Sequence, residues 1–474
     1  MGVSVRSFVS SILKFSVSSW INFGIGILAV VIMTRCFSPE VYGALNLFNT
    51  ASMLLVELSC LGVDGGFIRF YYEPPEGWDA RQLFAHCLLV AVAALAVISC
   101  VGAVFFWQDV SMRLFAQLDF TLTALLVVNA LSLLVLNNFF SQYYRIGNDP
   151  YHYTIQQVLV NFFSKLFVVS AALISPTLPV VLFMNTIGLF LLMVVYIGIQ
   201  HRSVFPEHFS WDWKGFGEVF RFGVFSWPTG LVWKLNMFLI PFFITTQLGA
   251  HALGVYASAG FIVAAFNVVQ GGFRTYWSAF MYGHYRDSQE MIPQVHNFVG
   301  LGIVLLLASF LLFQHAIYLL IGADFQGSRL FFALVLIDPL LSLYEQTTEY
   351  GTSLAKKNEQ LTMIYVGTIA LNFVGTWVCL GMFGILGAAV SSAAMATVRF
   401  ALATWRGQRY YRSIEAAPKT FSAVALILVL AASNVFFVDA YALECLTVAL
   451  VLAAAAVIYR ADLRRAWTFA RQRG

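Results

Sequence analysis

The sequence predicts an all-α polytopic membrane protein of about fourteen transmembrane helices. Three observations predict it. Of 474 residues, 60% are hydrophobic and only 11% are charged, with a mean hydropathy of +0.80. Soluble domains run near 25% charged, so this chain has too little polar surface to enclose a water-soluble core of its size. The apolar residues also gather into runs of roughly twenty, the length that crosses a bilayer core. Finally, the runs lack the period-two alternation of a membrane barrel, which leaves helices as the spanning element. A secreted disulfide scaffold, a nucleic-acid binder and a disordered chain are excluded.

The runs fall at 12–34, 41–63, 83–106, 120–143, 153–174, 178–200, 217–245, 253–280, 294–320, 329–352, 361–382, 385–405, 420–438 and 441–459. The first is too long for a signal-peptide core and lacks a small-x-small cleavage site, so it reads as a retained span. Pro150, Pro176 and Pro179 punctuate the stretch 120–200, and Asp439 alone divides 420–459. Every loop is short. The longest polar stretches, 64–82 and 201–216, leave no room for a catalytic domain outside the membrane.

The net charge is only +4, so the placement of charge carries the information. With the amino terminus inside, Arg35, Arg113 and Arg329 fall in outer loops, and Lys14, Lys165, Lys234 and Arg274 fall within spans. The other twenty of the 27 Lys and Arg residues fall in inner loops, at inner helix ends or in the tail. Twenty against three is a positive-inside bias that holds only for an even number of spans, which places both termini in the cytoplasm. The tail from Arg460 to Gly474 mixes basic residues with Leu463, Trp467 and Phe469. It reads either as an interfacial helix on anionic lipid or as a plain cytosolic tail.

An internal repeat organises the chain. Lys14-Phe-Ser-Val-Ser-Ser-Trp20 returns 207 residues later as Arg221-Phe-Gly-Val-Phe-Ser-Trp227. Val41-Tyr42-Gly43 is echoed by Gly254-Val255-Tyr256, and Gly65-Gly66-Phe67-Ile68-Arg69 by Gly271-Gly272-Phe273-Arg274. The copies lie six spans apart, an even number that preserves orientation. The repeat is therefore parallel, a transporter layout. The expected domains are a six-helix lobe over 1–205, a second over 206–410, two further helices over 411–460 and a basic tail over 461–474.

Soluble-enzyme signatures are absent: there is no P-loop, no HExxH and no G-x-S-x-G. The six cysteines and eight histidines form no metal spacing, so neither a metal nor a cofactor is expected. The informative signal is polar stripes at helical spacing inside spans. Span 1 carries Ser11, Lys14, Ser18 and Asn22. Span 2 carries Asn46, Asn49, Thr50 and Glu57, with Asp64 below. Span 5 carries Gln157, Asn161, Ser164 and Lys165. Span 8 carries Asn267, Gln270, Arg274 and Ser278. Span 10 carries Asp338, Ser342, Glu345 and Glu349. A charge at the centre of a span costs roughly 2.5–3.5 kcal/mol on insertion scales, so these faces line either a hydrated cavity or a helix contact.

For the Asn, Gln and Ser positions the competing reading is interhelical bonding. Lys165 and Lys234 sit near mid-span, too deep to snorkel, and with Arg274 they favour a cavity that takes an anionic group. Lys14 lies nearer the inner end. Arg69 lies at an inner end, where charge anchoring competes with ligand contact. Glu345 and Glu349 share a helix face and fit proton coupling; the alternative is pairing with Lys356 or Lys357.

Two segments carry a family resemblance. Arg35-Cys-Phe-Ser-Pro-Glu-Val-Tyr-Gly43 and Leu61-Gly-Val-Asp-Gly-Gly-Phe-Ile-Arg-Phe-Tyr71 resemble the motifs that follow spans 1 and 2 in bacterial oligosaccharide flippases. These are the Wzx-like branch of the multidrug/oligosaccharidyl-lipid/polysaccharide exporter superfamily. Leu248-Gly to Tyr256 and Ala355-Lys-Lys-Asn358 add to the likeness, which covers spans 1–12; Gly65-Gly66 departs from the usual alanine.

The resemblance implies a MATE-like fold: two six-helix lobes around a central cavity, plus two C-terminal helices. It implies a non-enzymatic flippase of the bacterial inner membrane. The implied cargo is an undecaprenyl-pyrophosphate-linked oligosaccharide and the implied task is cell-surface polysaccharide biosynthesis; drive by an ion gradient is the expectation from the span 10 carboxylates. Lys14, Arg69, Lys165, Lys234 and Arg274 would serve the pyrophosphate, and Asn46, Asn49, Asn161, Asn267 and Gln270 the sugars. Glu57, Asp338, Glu345 and Glu349 are the candidates for ion coupling. The expected partners are the lipid-linked substrate, membrane lipids, and the polymerase and glycosyltransferases of the same pathway. The competing readings are a multidrug exporter, a lipid II flippase, and a membrane glycosyltransferase or polymerase; the last is disfavoured by the short outer loops.

Overall fold

A computed structural model describes the backbone of residues 5–285, 289 and 291–464, and side chains from residue 20 onward except at several positions between 265 and 290. The side chains of Lys14 and Asn267, and the tail from residue 465, lie outside the described residues. Every regular element described is helical. Among the described residues, eleven helices are long and apolar enough to cross a membrane, or twelve if a pair bent by 60°, Ala323–Leu330 with Phe332–Leu354, counts as one span. The 52-residue candidate Trp213–Ala264 contains two rods, because Gly249 (φ 87°, ψ 168°) interrupts it where the sequence separates two runs. With the first helix added, the rods match the fourteen runs one to one.

In chain order the helices are α1 (Val5–Cys36), α2 (Pro39–Cys60), α3 (Val63–Phe70), α4 (Ala80–Val101), α5 (Trp107–Phe115), α6 (Phe120–Leu133), α7 (Ser141–Ile146), α8 (Pro150–Ile174) and α9 (Leu178–Val204). There follow α10 (Trp213–His284), α11 (Met291–Tyr318), α12 (Phe332–Glu345), α13 (Tyr350–Leu354), α14 (Asn358–Phe383), α15 (Ile385–Tyr410), α16 (Ala417–Phe437) and α17 (Tyr441–Ile458). Short π segments, Gly102–Phe106 and Leu134–Phe140, join α4 to α5 and α6 to α7.

Starts and stops follow local chemistry. Asp79 caps α4 by accepting from the Gln82 amide at 2.7 Å, and Asp119 caps α6 through the Thr121 amide at 2.8 Å. Asp149 caps α8 with Pro150 in the first turn, where a missing N–H costs nothing. The π segment after α6 disturbs the helical ladder, and the buried Gln156 amide donates to the Leu136 carbonyl at 2.8 Å.

The chain divides by packing into two units, Met1–Gly254 and Val255–Gly474. In the first, α1 packs on α8, α8 on α9, and α2 on α4, α6 and α9. Its core is aromatic: Phe67, Phe84, Phe139 and Phe140 are all fully buried, with Phe84 edge-on to Phe139 and Phe140. In the second unit, α14 packs on α15, α15 on α12, and α11 on α16 and α17. Each unit turns large apolar side chains outward, including Leu28, Val97, Phe105, Leu173 and Ile199 in the first and Phe313, Val374, Phe436 and Leu450 in the second. So much exposed hydrocarbon suits a lipid surround. The chain is a multi-pass membrane protein.

Backbones come unusually close at two places in the first unit. A Cβ on Gly254 would stand 1.9 Å from the Pro39 carbonyl oxygen, and one on Gly43 would stand 2.1 Å from that of Ala250. At the opposite end of α2, a Cβ on Gly62 would stand 2.1 Å from the Gly223 oxygen. Gly62 also has φ 81°, which favours glycine, and it follows Leu61 at φ 48° to break α2 from α3. The first α10 rod thus lies against the C-terminal end of α2, and the start of the second rod against its N-terminal end, through glycines that permit contact of a kind common between membrane helices.

Candidate functional site

In the first unit the candidate residues gather along α2, α8 and the first rod of α10. Glu57 is 7% exposed, and Gly230 makes room for its carboxylate: a Cβ there would stand 2.3 Å from Oε1. The indole of Trp227 donates to the Glu57 carbonyl at 2.8 Å, tying the repeated Phe-Ser-Trp segment of α10 to α2. Lys234, about two turns further along α10, acts electrostatically on Glu57, Asp64 and Cys60. No carboxylate lies within 4 Å of its ammonium among the described residues. Lys165 on α8 is also part-buried and has neither an ion pair nor a hydrogen bond among the described residues.

The neutral candidates are more committed. Asn161 donates to the Asn22 backbone oxygen at 3.1 Å and joins α8 to α1. Asn49 accepts from Asn185 at 3.3 Å, Asn185 donates to Asn129 at 3.1 Å, and Asn129 donates to Ser52 at 2.9 Å. This buried chain joins α2, α6 and α9. Asn46 is part-buried and makes no side-chain bond among the described residues. Arg69 is half-exposed at the end of α3 and pairs with Glu73 at 2.8 Å.

The second unit holds an acidic ladder. Asp338 lies beside Pro339 in α12, with Glu345 at the end of that helix and Glu349 in the turn that follows. Arg399 of α15 reaches two of the three acids: its Nη2 donates to Asp338 Oδ1 and to Ser342 Oγ, each at 2.7 Å, and its Nε donates to Glu345 Oε2 at 3.2 Å. The guanidinium is 11% exposed and lies 5.7 Å from the centre of the Tyr365 ring. The Tyr365 hydroxyl stands 2.8 Å from Glu345 Oε1 and 2.9 Å from Glu349 Oε2. The result is a continuous chain: Asp338, Arg399, Glu345, Tyr365, Glu349. Arg274, exposed on α10, acts electrostatically on Glu349, and Gln270 is part-buried one turn before it.

Charge counting placed Arg399 among the inner-end residues. It lies instead well inside α15, as the cation of this ladder, while Lys357 stands 5.1 Å from the centre of the Tyr410 ring. The pairing partners of the acids are therefore Arg399 and Tyr365 rather than Lys356 or Lys357. A signal was present in the sequence: Arg399 is the lone charge in the apolar stretch from Ile385 to Thr404. Tyr365 and the Asn129–Asn185 pair carried no such mark.

The chain matches no family profile and no curated protein by sequence. Solved structures do match. The lipid II flippase MurJ, in an inward closed conformation, superposes with a TM-score of 0.72 over 95% of this chain and all of that one, at 13% identity. The MATE multidrug transporter DinF-BH, in complex with R6G, gives 0.59 over 86% of this chain and 97% of that one, at 14% identity. An inward-facing multidrug resistance MATE family transporter of the MOP superfamily gives 0.55 over 83% of this chain and 95% of that one, at 15% identity. The fold is thus the one common to MurJ and the MATE transporters, as the sequence predicted.

Proposed function

We propose that this protein is a flippase that turns an undecaprenyl-pyrophosphate-linked oligosaccharide from the inner to the outer leaflet of a bacterial inner membrane. The observation that carries the reading is the state of Lys165 and Lys234: two lysines within spans that have no carboxylate within 4 Å among the described residues, in a fold shared with a lipid II flippase. An unpaired ammonium in a membrane helix is costly, and a mobile anionic headgroup that neutralises it in transit offsets that cost. Glu57 and Asp64 interact with Lys234 electrostatically from beyond ion-pair distance, which suits a site that must release its ligand.

The acidic ladder is the coupling element in this reading. The single hydrogen of the Tyr365 hydroxyl cannot fully serve two carboxylates at once. Both contacts are complete only when Glu345 or Glu349 carries a proton of its own. One proton gained or lost there rearranges the bonds that join α12, α14 and α15.

The reading is tested with purified protein in liposomes loaded with a fluorescent undecaprenyl-pyrophosphate oligosaccharide. Faster exposure of the label to an impermeant quencher under an imposed pH gradient is the expected outcome. Efflux of a cationic dye without lipid translocation would assign the protein to drug export instead. Translocation of lipid II in preference to other glycans would narrow the cargo to a cell-wall precursor.

A further inference from the structure

The C-terminal helix pair contains a buried carboxylate that the transport reading does not use. Glu444 in the first turn of α17 is 1% exposed, and Gln314 of α11 and Asn434 of α16 are fully buried against it. The amide nitrogens of both face the carboxylate, Gln314 toward Oε2 and Asn434 toward Oε1, the latter at 3.4 Å. No cationic side chain lies within 4 Å of the Glu444 carboxylate among the described residues. Arg329 acts on it electrostatically, but its guanidinium donates to the Val438 carbonyl and stands 3.7 Å from Asp439.

The two amides are half-used. Gln314 Oε1 and Asn434 Oδ1 are both buried and have no hydrogen-bond partner. Orphan acceptors at this depth are costly, and two from different helices around one carboxylate call for a cause. The orientation of an amide is assigned from its surroundings, and a half-turn exchanges nitrogen for oxygen. Turned over, the two amides present their oxygens to Glu444, which is repulsive unless a cation lies between them. Carboxylate and amide oxygens are the donors that a hard cation takes.

We infer that Glu444, Gln314 and Asn434 form a binding site for one Na⁺ ion, which clamps α11, α16 and α17 together. All three side chains are buried and both amides lie within hydrogen-bond reach of the carboxylate, a spacing that favours Na⁺ over the larger K⁺. The three residues lie within about one turn of their helix ends, Tyr318, Phe437 and Tyr441, so the path for an ion is short. The inference is independent of the cargo.

The test is thermal unfolding of the purified full-length protein at fixed pH and ionic strength, with NaCl exchanged for KCl or choline chloride. By mass action, Na⁺ at a hundred times its dissociation constant should raise the midpoint by about 2–3 °C. KCl should give a smaller rise. Glu444→Gln and Asn434→Leu should each abolish the Na⁺ response. A flat response of the unaltered protein overturns the site, as does a response that survives in Glu444→Gln. Stability that follows pH but ignores Na⁺ overturns it in favour of a proton. If Glu444→Gln fails to fold, the wild-type titration and Asn434→Leu still decide.

Discussion

Arg399 and Asp338, 61 residues apart in sequence, meet at 2.7 Å and join α15 to α12 inside the second unit. The contact gives a buried guanidinium its counter-charge and orients it so that its Nε meets Glu345. Removing one partner from such a set leaves a charge without compensation, which is far costlier than losing a surface pair. Arg399→Ala should therefore destabilise the protein by roughly 3–5 kcal/mol. Adding Glu345→Gln to it should recover part of the loss. Unfolding midpoints of the single and double variants check this, and additive losses would rule out the coupling.

Tyr365→Phe removes the hydroxyl between Glu345 and Glu349 and little volume. Together with Glu345→Gln and Glu349→Gln, it should weaken the dependence of transport on a pH gradient and leave membrane insertion intact. The check is transport in liposomes with and without the gradient. Unchanged gradient dependence in all three variants removes the ladder from the mechanism.

Under the proposed function, Lys234→Ala should abolish surface-polymer export at normal protein abundance, and Lys165→Ala should reduce it strongly. Lys234→Arg should retain part of the activity, because a mobile phosphate needs charge more than fork geometry. Export and abundance measured side by side separate the two roles: a structural lysine lowers both in proportion.

Gly254→Ala drives a methyl group into the Pro39 carbonyl, where the ideal Cβ would be 1.9 Å from oxygen. The backbones must separate, at about 1–3 kcal/mol. Gly24→Ala, with nothing within 4 Å of its Cβ, should have almost no effect. Fluorescence-detected size exclusion after heating distinguishes the pair.

Topology is open to a direct check. Reporter fusions after Lys357 and after Arg412 should read as cytoplasmic, and one in the loop at Gln117 as external. An inverted reading at any of the three would overturn the charge-based orientation.

Much of this architecture is local and therefore legible. Hydrophobic runs, their lengths and the prolines and glycines between them are properties of neighbouring residues, and lipid imposes one solution on them, since every backbone group must be bonded within the helix. The break at Gly249 stands where two apolar runs separate, and the charge bias of the loops needs no third dimension. The polar stripes were visible for the same reason: helical periodicity places Asp338, Ser342, Glu345 and Glu349 along one side of the chain. What each stripe meets was not visible. Asn161 turns to Asn22 and Asn49 to Asn185, while Lys165 and Lys234 have no ion-pair partner among the described residues, and no local pattern names these partners. Arg399 read as one more inner-end cation until α15 was laid against α12, and only the packing of α11 and α16 around α17 shows what Glu444 meets. Sequence determined which segments enter the membrane, because transfer from water depends on each segment alone. Tertiary structure decided which buried charges are paired, because pairing depends on distances between helices that no local pattern encodes.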